Sequence, residues 1–137
     1  MRYFKEGEFA CKCCGQLPPS ARENIEALVD SVLDPARQKF GGPVLVNSGY
    51  RCVSHNQKVG GVPRSQHLVG EAADVSAGST QANERLAKII EEYGRYDQLI
   101  RYLDVRGNIR FIHVSWKQNG PNRKMKFNKY NNRRKKQ

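Results

Sequence analysis

Long apolar runs are missing from this sequence of 137 residues. No stretch approaches the ~20 apolar residues that a membrane-spanning helix needs. Residues 1–8 also lack the apolar segment of a secretory signal peptide, so we expect synthesis in the cytoplasm without classical export. The length supports one hydrophobic core and is too short for two ordinary domains. We therefore predict one folded domain without a membrane span, and a monomer.

Acidic residues are missing from residues 117–137, which contain nine Lys or Arg. The chain has 24 basic and 13 acidic residues in total, so residues 1–116 keep 15 basic against 13 acidic ones and are nearly neutral. We predict a folded domain over 1–116 and a basic, partly disordered tail over 117–137. The tail either attracts an anionic polymer, binds nucleic acid through its phosphates, or is solvated without a partner. We favour attraction to an anionic polymer, with a solvated tail as the equal alternative and nucleic acid as the weakest of the three.

Two candidate metal ligands flank a glycine in the segment Ser65–Asp74, which reads SQHLVGEAAD. His67 offers an imidazole nitrogen and Asp74 a carboxylate oxygen. A catalytic zinc site uses three such protein ligands and leaves the fourth position to water. The third ligand is expected from His113, in the alternating run FIHVSW. That alternation predicts a half-buried strand with His113 on one face and Ile112 and Val114 toward the core.

The pattern Ser-x-His-x-x-Gly-x-Ala-x-Asp, followed by a strand that reads apolar-His-apolar-Ser, resembles the M15 family of zinc peptidases, which cut peptidoglycan peptides. The resemblance extends to Asn47–Arg51, Gly60–Pro63 and Tyr96–Ile100 and covers most of residues 8–116. It implies a catalytic Zn²⁺ held by His67, Asp74 and His113. It also implies an α+β fold: a small, mostly antiparallel sheet with helices packed on one side, as in the Hedgehog/D,D-peptidase architecture.

Local patterns place the other elements of this fold. Ser20 to Glu23 fits a capping box before a helix, and Ser79 or Thr80 precedes a second helix that Gly94 would end. Alternating residues predict strands over 98–103 and 109–116, joined by a turn at 106–108.

A zinc peptidase also needs a group that takes a proton from water and passes it to the leaving amine. In relatives this is usually an acid three positions before the last histidine ligand or at the end of the preceding strand. Here these positions hold Arg110 and Tyr102. We predict Asp104 as the base because it lies two residues past Tyr102, on the same face if the strand continues. Glu71 and Asp97 are weaker candidates.

Substrate contacts are expected from Arg51 and Ser65. The Arg51 guanidinium is a planar fork suited to a carboxylate or a developing oxyanion, and the resemblance implies that the arginine of Gly-Tyr-Arg contacts the substrate or the transition state. The alternative is that Arg51 only forms a surface ion pair. Ser65 opens the motif and is placed beside the substrate.

Three of the four cysteines fall in residues 11–14, and the fourth is Cys52. Cys11-x-x-Cys14 together with Cys52-x-x-His55 has the spacing of a structural zinc site. The alternatives are buried thiols or a Cys14–Cys52 bridge. In a reducing cytosol no bridge need form.

The predicted function is hydrolysis of an amide bond in stem or crosslink peptides of peptidoglycan, in a carboxypeptidase or endopeptidase mode. Without a signal peptide, such an endolysin-like enzyme would reach the wall by phage-type or other non-classical release. The basic tail would then contact anionic wall polymers. The alternative is a non-catalytic, zinc-containing module that binds the wall or another polyanion. A nucleic-acid-binding protein is a weaker hypothesis, because the basic residues concentrate outside the predicted domain.

Overall fold

The computed structural model describes residues 1–130. Its elements are, in order, α1 (Pro19–Leu28), a π-helical turn (Val29–Leu33), α2 (Asp34–Phe40), β1 (Leu45–Ser48), α3 (Val53–Lys58), β2 (Ala72–Ser76), α4 (Thr80–Tyr93), β3 (Gln98–Leu103), β4 (Ile109–Ser115) and β5 (Met125–Tyr130). Short 3₁₀ turns span Glu6–Phe9 and Gln66–Val69. Within residues 1–130, every helix is too short or too polar to cross a membrane.

The strands form one sheet in the order β1-β2-β4-β3-β5. The first four are antiparallel neighbours, whereas β5 pairs parallel to β3. The α+β class is confirmed, but the sheet is mixed rather than mostly antiparallel. The reason is topological. β4 ends beside the start of β3, and the connection of residues 116–124 brings the chain to the other side of β3 at that same end. β5 therefore runs parallel to β3. The finer Hedgehog-like architecture stays a prediction.

The helix signals were only partly reliable. Ser79 caps α4 as predicted, with its Oγ accepting from the Ala82 amide at 3.1 Å, and Gly94 ends that helix. The predicted capping box at Ser20 is wrong, because α1 begins at Pro19 and has no side-chain cap. Proline suits a first helical turn, where its fixed φ fits and its missing N–H needs no partner.

The sheet has one core face and one site face. Ile112 and Val114 of β4 are fully buried in the core with residues from α1, α2 and α4. His113 between them points to the opposite face, as the alternation predicted. Helices α1, α2 and α4 therefore cover the face that the site does not use, whereas α3 lies on the site side, where its Asn56 contacts Arg51.

The basic segment after Trp116 is part of this fold. Asp97 is 0% exposed, and its carboxylate accepts from the Arg123 amide at 2.9 Å and from Arg123 Nη2 at 2.6 Å. Gln66 Nε2 donates to the same carboxylate at 3.0 Å. The folded domain thus extends past the boundary predicted at residue 116, through Tyr130. Residues 131–137, the rest of the predicted tail, lie outside the described residues.

Replacing Arg123 with Gln tests this anchor. Burial raises the pKa of Asp97, but the Arg123 hydrogen bonds outweigh burial and hold it at about 2, below its ordinary 3.8. A carboxylate whose pKa is lowered by folding stabilises the folded protein at pH values above its ordinary pKa. This stabilisation is lost as the pH falls toward 2. Arg123→Gln should therefore lower the free energy of unfolding by about 1–3 kcal/mol near neutral pH. Its difference from the wild type should shrink between about pH 4 and 2.

The measurement is urea unfolding of both proteins over a pH series. Arg106→Gln, in the exposed turn between β3 and β4, is the matched control and should change little at any pH. A pH-independent deficit in Arg123→Gln would contradict the assigned role of the ion pair.

Candidate metal centre

Strand register brings two of the predicted ligands face to face. Asp74 of β2 lies directly opposite His113 of β4, and Asp74 Oδ1 is 3.0 Å from His113 Nδ1. His67, in the 3₁₀ turn before β2, places its Nε2 at 3.2 Å from the same oxygen. The donor atoms of all three residues lie within 4.8 Å of one another. The structure thus brings together the residues predicted from spacing.

The turn that carries His67 is closed at both ends by the motif itself. Ser65 Oγ accepts from the His67 amide at 3.1 Å and caps the start of the turn. Gly70 ends it with φ +79°, and a Cβ there would collide with the backbone of Ala21. Only glycine meets both conditions without strain. Ser65 therefore has a positioning role, and it also lines the adjoining cavity.

The outer nitrogen of His67 is held by the backbone. His67 Nδ1 lies 2.7 Å from the Gly49 carbonyl oxygen, which can only accept, so Nδ1 carries the hydrogen. Nε2 is then the ring nitrogen that faces Asp74 and any bound metal, the arrangement common for metal-binding histidines. Gly49 packs so closely on Phe9 that a Cβ would lie 2.7 Å from its Cα. The N-terminal segment thus packs against the residue that orients the His67 ring.

Arg51 is buried beside the ligands rather than paired at the surface. It is 6% exposed, and its Nη2 lies 3.2 Å from Asp74 Oδ2. Its Nε donates to Ser48 Oγ at 3.0 Å and its Nη1 to Asn56 Oδ1 at 3.2 Å. Asp74 therefore directs one oxygen toward the histidines and the other toward Arg51.

Electrostatics favour an ionised Asp74 and a neutral His113, two of the protonation states that a metal requires. Burial raises the pKa of Asp74, but the adjacent His67 and His113 rings outweigh burial and hold it well below the ordinary range. Burial lowers the pKa of His113, opposed by its bond to Asp74. An ionised carboxylate and neutral imidazoles are the ligand forms that bind metal. Two imidazole nitrogens and one carboxylate oxygen fit zinc, so these residues could hold it.

The three candidate ligands line a cavity of about 830 Å³. Its other walls are rich in basic and aromatic side chains, among them Arg64, Lys117, Lys129, Tyr102, Phe111 and Phe127. Tyr102 and Phe111 stack with ring centroids 4.6 Å apart. The space is large enough for a peptide segment or a small ligand, and its charge favours an anionic one.

The structure does not bring the predicted base, Asp104, into this cavity. A register shift after Tyr102 ends the regular pairing of β3, so the face expected from continued alternation is lost. The Asp104 carboxylate instead accepts from the amides of Arg106 and Asn108, at 2.9 and 3.0 Å, and closes the turn before β4. It lines a different cavity, with Ser79.

The two weaker base candidates have different surroundings in the structure. Glu71 lines the cavity of the metal centre, and burial raises the pKa of its carboxyl while nearby Lys117 opposes the rise. Asp97 is committed to Arg123 and Gln66.

Several contributors were missed from the sequence. Asn56 and Ser48 hold Arg51, and the Gly49 carbonyl holds His67. Such roles have no motif of their own, although Asn56 follows Arg51 closely in the chain. Phe127 and Lys129 of β5 line the cavity because β5 joins the sheet, and the signal for that strand, the spacing Met125-x-Phe127, is weak.

The predicted second metal site is found in part. Cys11, Cys14 and Cys52 place their sulfur atoms within 4.8 Å of one another, but the His55 ring does not belong to this group. All four cysteines are free thiols, so the Cys14–Cys52 bridge is absent from this structure. Burial raises the pKa of Cys11, but backbone amides that donate to its sulfur outweigh burial and bring it to about 7.

Comparison with known proteins agrees with this geometry. The chain is 51% identical over 37 residues to the zinc D-Ala-D-Ala carboxypeptidase of Streptomyces albus G, a match that spans 27% of this chain and 14% of that protein. A sequence model described as peptidase M15 matches residues 2–115, which is most of the chain. The protein therefore belongs to the peptidase M15 family of zinc peptidases.

Proposed function

We propose that this protein is a zinc-dependent peptidase that hydrolyses an amide bond in stem or crosslink peptides of peptidoglycan. The observation that carries the proposal is the convergence of His67, Asp74 and His113 at the wall of an open cavity of about 830 Å³. Membership of the M15 family supports the reaction type. The partial similarity to a zinc D-Ala-D-Ala carboxypeptidase supports the substrate class.

His67, Asp74 and His113 would hold the zinc ion. Zinc bound there supplies a Lewis acid that polarises the scissile carbonyl and lowers the pKa of water from 15.7 to ~7. The Gly49 carbonyl keeps His67 in the tautomer that directs Nε2 to the ligand group. Arg51 fixes the second oxygen of Asp74, so the carboxylate cannot rotate away.

Glu71 replaces Asp104 as the proposed general base. It takes a proton from the attacking water as the carbon–oxygen bond forms, and it delivers that proton to the amine as the carbon–nitrogen bond breaks. Glu71 lines the cavity, and burial raises the pKa of its carboxyl toward the range useful for proton transfer. Asp104 is occupied by the turn that it closes.

Substrate binding follows from the charge of the cavity. Stem peptides carry carboxylates, and Arg64, Lys117 and Lys129 line the cavity around the metal centre. Arg51 adds a fixed positive charge beside the ligands that favours a developing oxyanion. Ser65 lies at the same wall and contacts the substrate from the start of the His67 turn.

A second candidate is a non-catalytic, zinc-containing module that binds wall polymers or another polyanion. The presence of Arg110 and Tyr102 where relatives carry an acid, together with the basic strand β5, favours it. In either case we propose a monomer that acts on the wall after phage-type or other non-classical release. Binding of nucleic acid by the same basic residues is a weaker hypothesis.

Replacing His113 with Ala should remove the metal ion of this site and peptidoglycan hydrolysis together, because one of three ligands is lost. Ser115→Ala is the matched control, since Ser115 lies two residues along the same face of β4 and is not in the ligand group. The measurements are zinc content and mass spectrometry of a peptidoglycan digest. Wall hydrolysis that survives in His113→Ala would overturn the proposal.

Replacing Glu71 with Gln should reduce hydrolysis by about 10²- to 10⁴-fold, the usual contribution of a general base, while zinc content stays unchanged. Asp104→Asn is the matched control and should keep both properties, because its side chain lies in another cavity. Release of new amino groups from peptidoglycan measures the rate. If Asp104→Asn is the variant that loses activity, the assignment of the base is wrong. Zinc binding without hydrolysis in the wild type would favour the binding module.

A further inference from the structure

Three thiols converge about the loop that carries Arg51, away from the histidine ligands. Cys11 and Cys14 come from the N-terminal segment and Cys52 from the residue before α3. The sulfur atoms of Cys11 and Cys52 are 3.7 Å apart, and all three sulfurs lie within 4.8 Å of one another. This group takes no part in the reaction proposed above.

Backbone amides are directed at two of the three sulfur atoms. The Cys52 amide donates to Cys11 Sγ at 3.5 Å, and the His55 amide donates to Cys52 Sγ at 3.4 Å. An N–H group that faces sulfur stabilises the thiolate, because charged acceptors form the stronger hydrogen bonds. Cys11 and Cys52 thus each accept a backbone N–H that favours a negative sulfur, and Cys14 lies within reach of both.

The loop from Cys11 to Gly15 is closed by its own backbone. The Gly15 amide donates to the Cys11 carbonyl at 2.7 Å, and the Cys11 amide donates to the Gln16 carbonyl at 2.9 Å. This tight loop holds two thiols on the same side while Cys13, between them, is exposed and lies outside the group.

We propose that Cys11, Cys14 and Cys52 bind a second zinc ion through three thiolates. Binding releases the thiol protons to solvent. A set of three convergent sulfur donors binds zinc in preference to harder cations. A disulfide would use two of these sulfurs and leave the third without a partner. The fourth position is taken by solvent or by His55 after rotation of its side chain.

The metal would join the N-terminal segment to the loop that orients the first site. The Tyr50 amide donates to the Phe9 carbonyl at 2.8 Å, and Gly49 packs against the same residue. Gly49 in turn holds His67, and Arg51 holds Asp74. Cys11 and Cys52 flank this pair of contacts in the chain. The second zinc therefore acts as a positioning element, independently of which bond the enzyme cuts.

The test is the metal content of the full chain, purified with zinc and a phosphine reductant. We expect two zinc ions in the wild type and in Cys13→Ser, and one in Cys14→Ser and Cys52→Ser. Cys13→Ser is the matched control, because it removes the neighbouring thiol that is outside the group. Circular dichroism establishes that each variant is folded, and Cys14, being exposed, is the substitution that disturbs packing least.

A second readout separates this site from the histidine site. Cobalt-loaded His67→Ala should keep the near-ultraviolet absorption of thiolate-to-cobalt charge transfer, and His67→Ala combined with Cys14→Ser should lose it. Wild-type zinc content in a folded Cys14→Ser variant, or cobalt-loaded His67→Ala without thiolate absorption, would overturn the proposal. A Cys11–Cys52 disulfide in the protein isolated without reductant, together with a single zinc ion under reducing conditions, would also overturn it.

Discussion

The buried carboxylate of Asp74 is the constraint on which the site depends. Asp74 is 5% exposed, and an isolated ionised carboxylate at such a position would be strongly unfavourable. Its two oxygens are therefore divided between partners: Oδ1 faces His67 and His113, and Oδ2 faces Arg51. A metal that binds the histidines adds positive charge beside Oδ1 and leaves the bond to Arg51 in place. The same contacts that make burial tolerable thus arrange the ligands before a metal arrives.

Support for this arrangement comes from three separate parts of the chain. The β2–β4 register sets Asp74 against His113, a Ser65-capped turn presents His67, and the Gly49 carbonyl fixes the ring of His67. Because Gly49 contacts Phe9, the N-terminal segment belongs to the outer layer of the metal centre. Outer partners of this kind fix ligand orientation, and their loss commonly weakens metal binding. Cys11, Cys14 and Cys52 lie next to this segment, where a link between them would hold the outer partners of the metal centre in place.

How far the sequence predicted the structure depends on the range of each interaction. The convergence of His67, Asp74 and His113 was predictable because the turn signal around Gly70 and the alternation around His113 are local, and the strand register then joined them. Asp104 failed because the prediction assumed unbroken alternation, whereas the register of β3 shifts after Tyr102. The boundary at residue 116 failed for another reason: the attachment of Arg123 to Asp97 links positions 26 residues apart, and composition alone described the segment as a tail.

That attachment changes the meaning of the basic C-terminal composition. Were residues 117–130 a free tail, their charge would act only by general attraction, screened beyond about 8 Å at physiological salt. Residues 125–130 instead lie along β3 as β5, and Phe127 and Lys129 line the same cavity as the candidate metal ligands. Lys117 lines it from the connection before β5, close enough to oppose the raised pKa of Glu71. The positive charge is therefore held at fixed positions beside the proposed base. These fixed charges favour an anionic ligand by their geometry as well as by attraction from a distance.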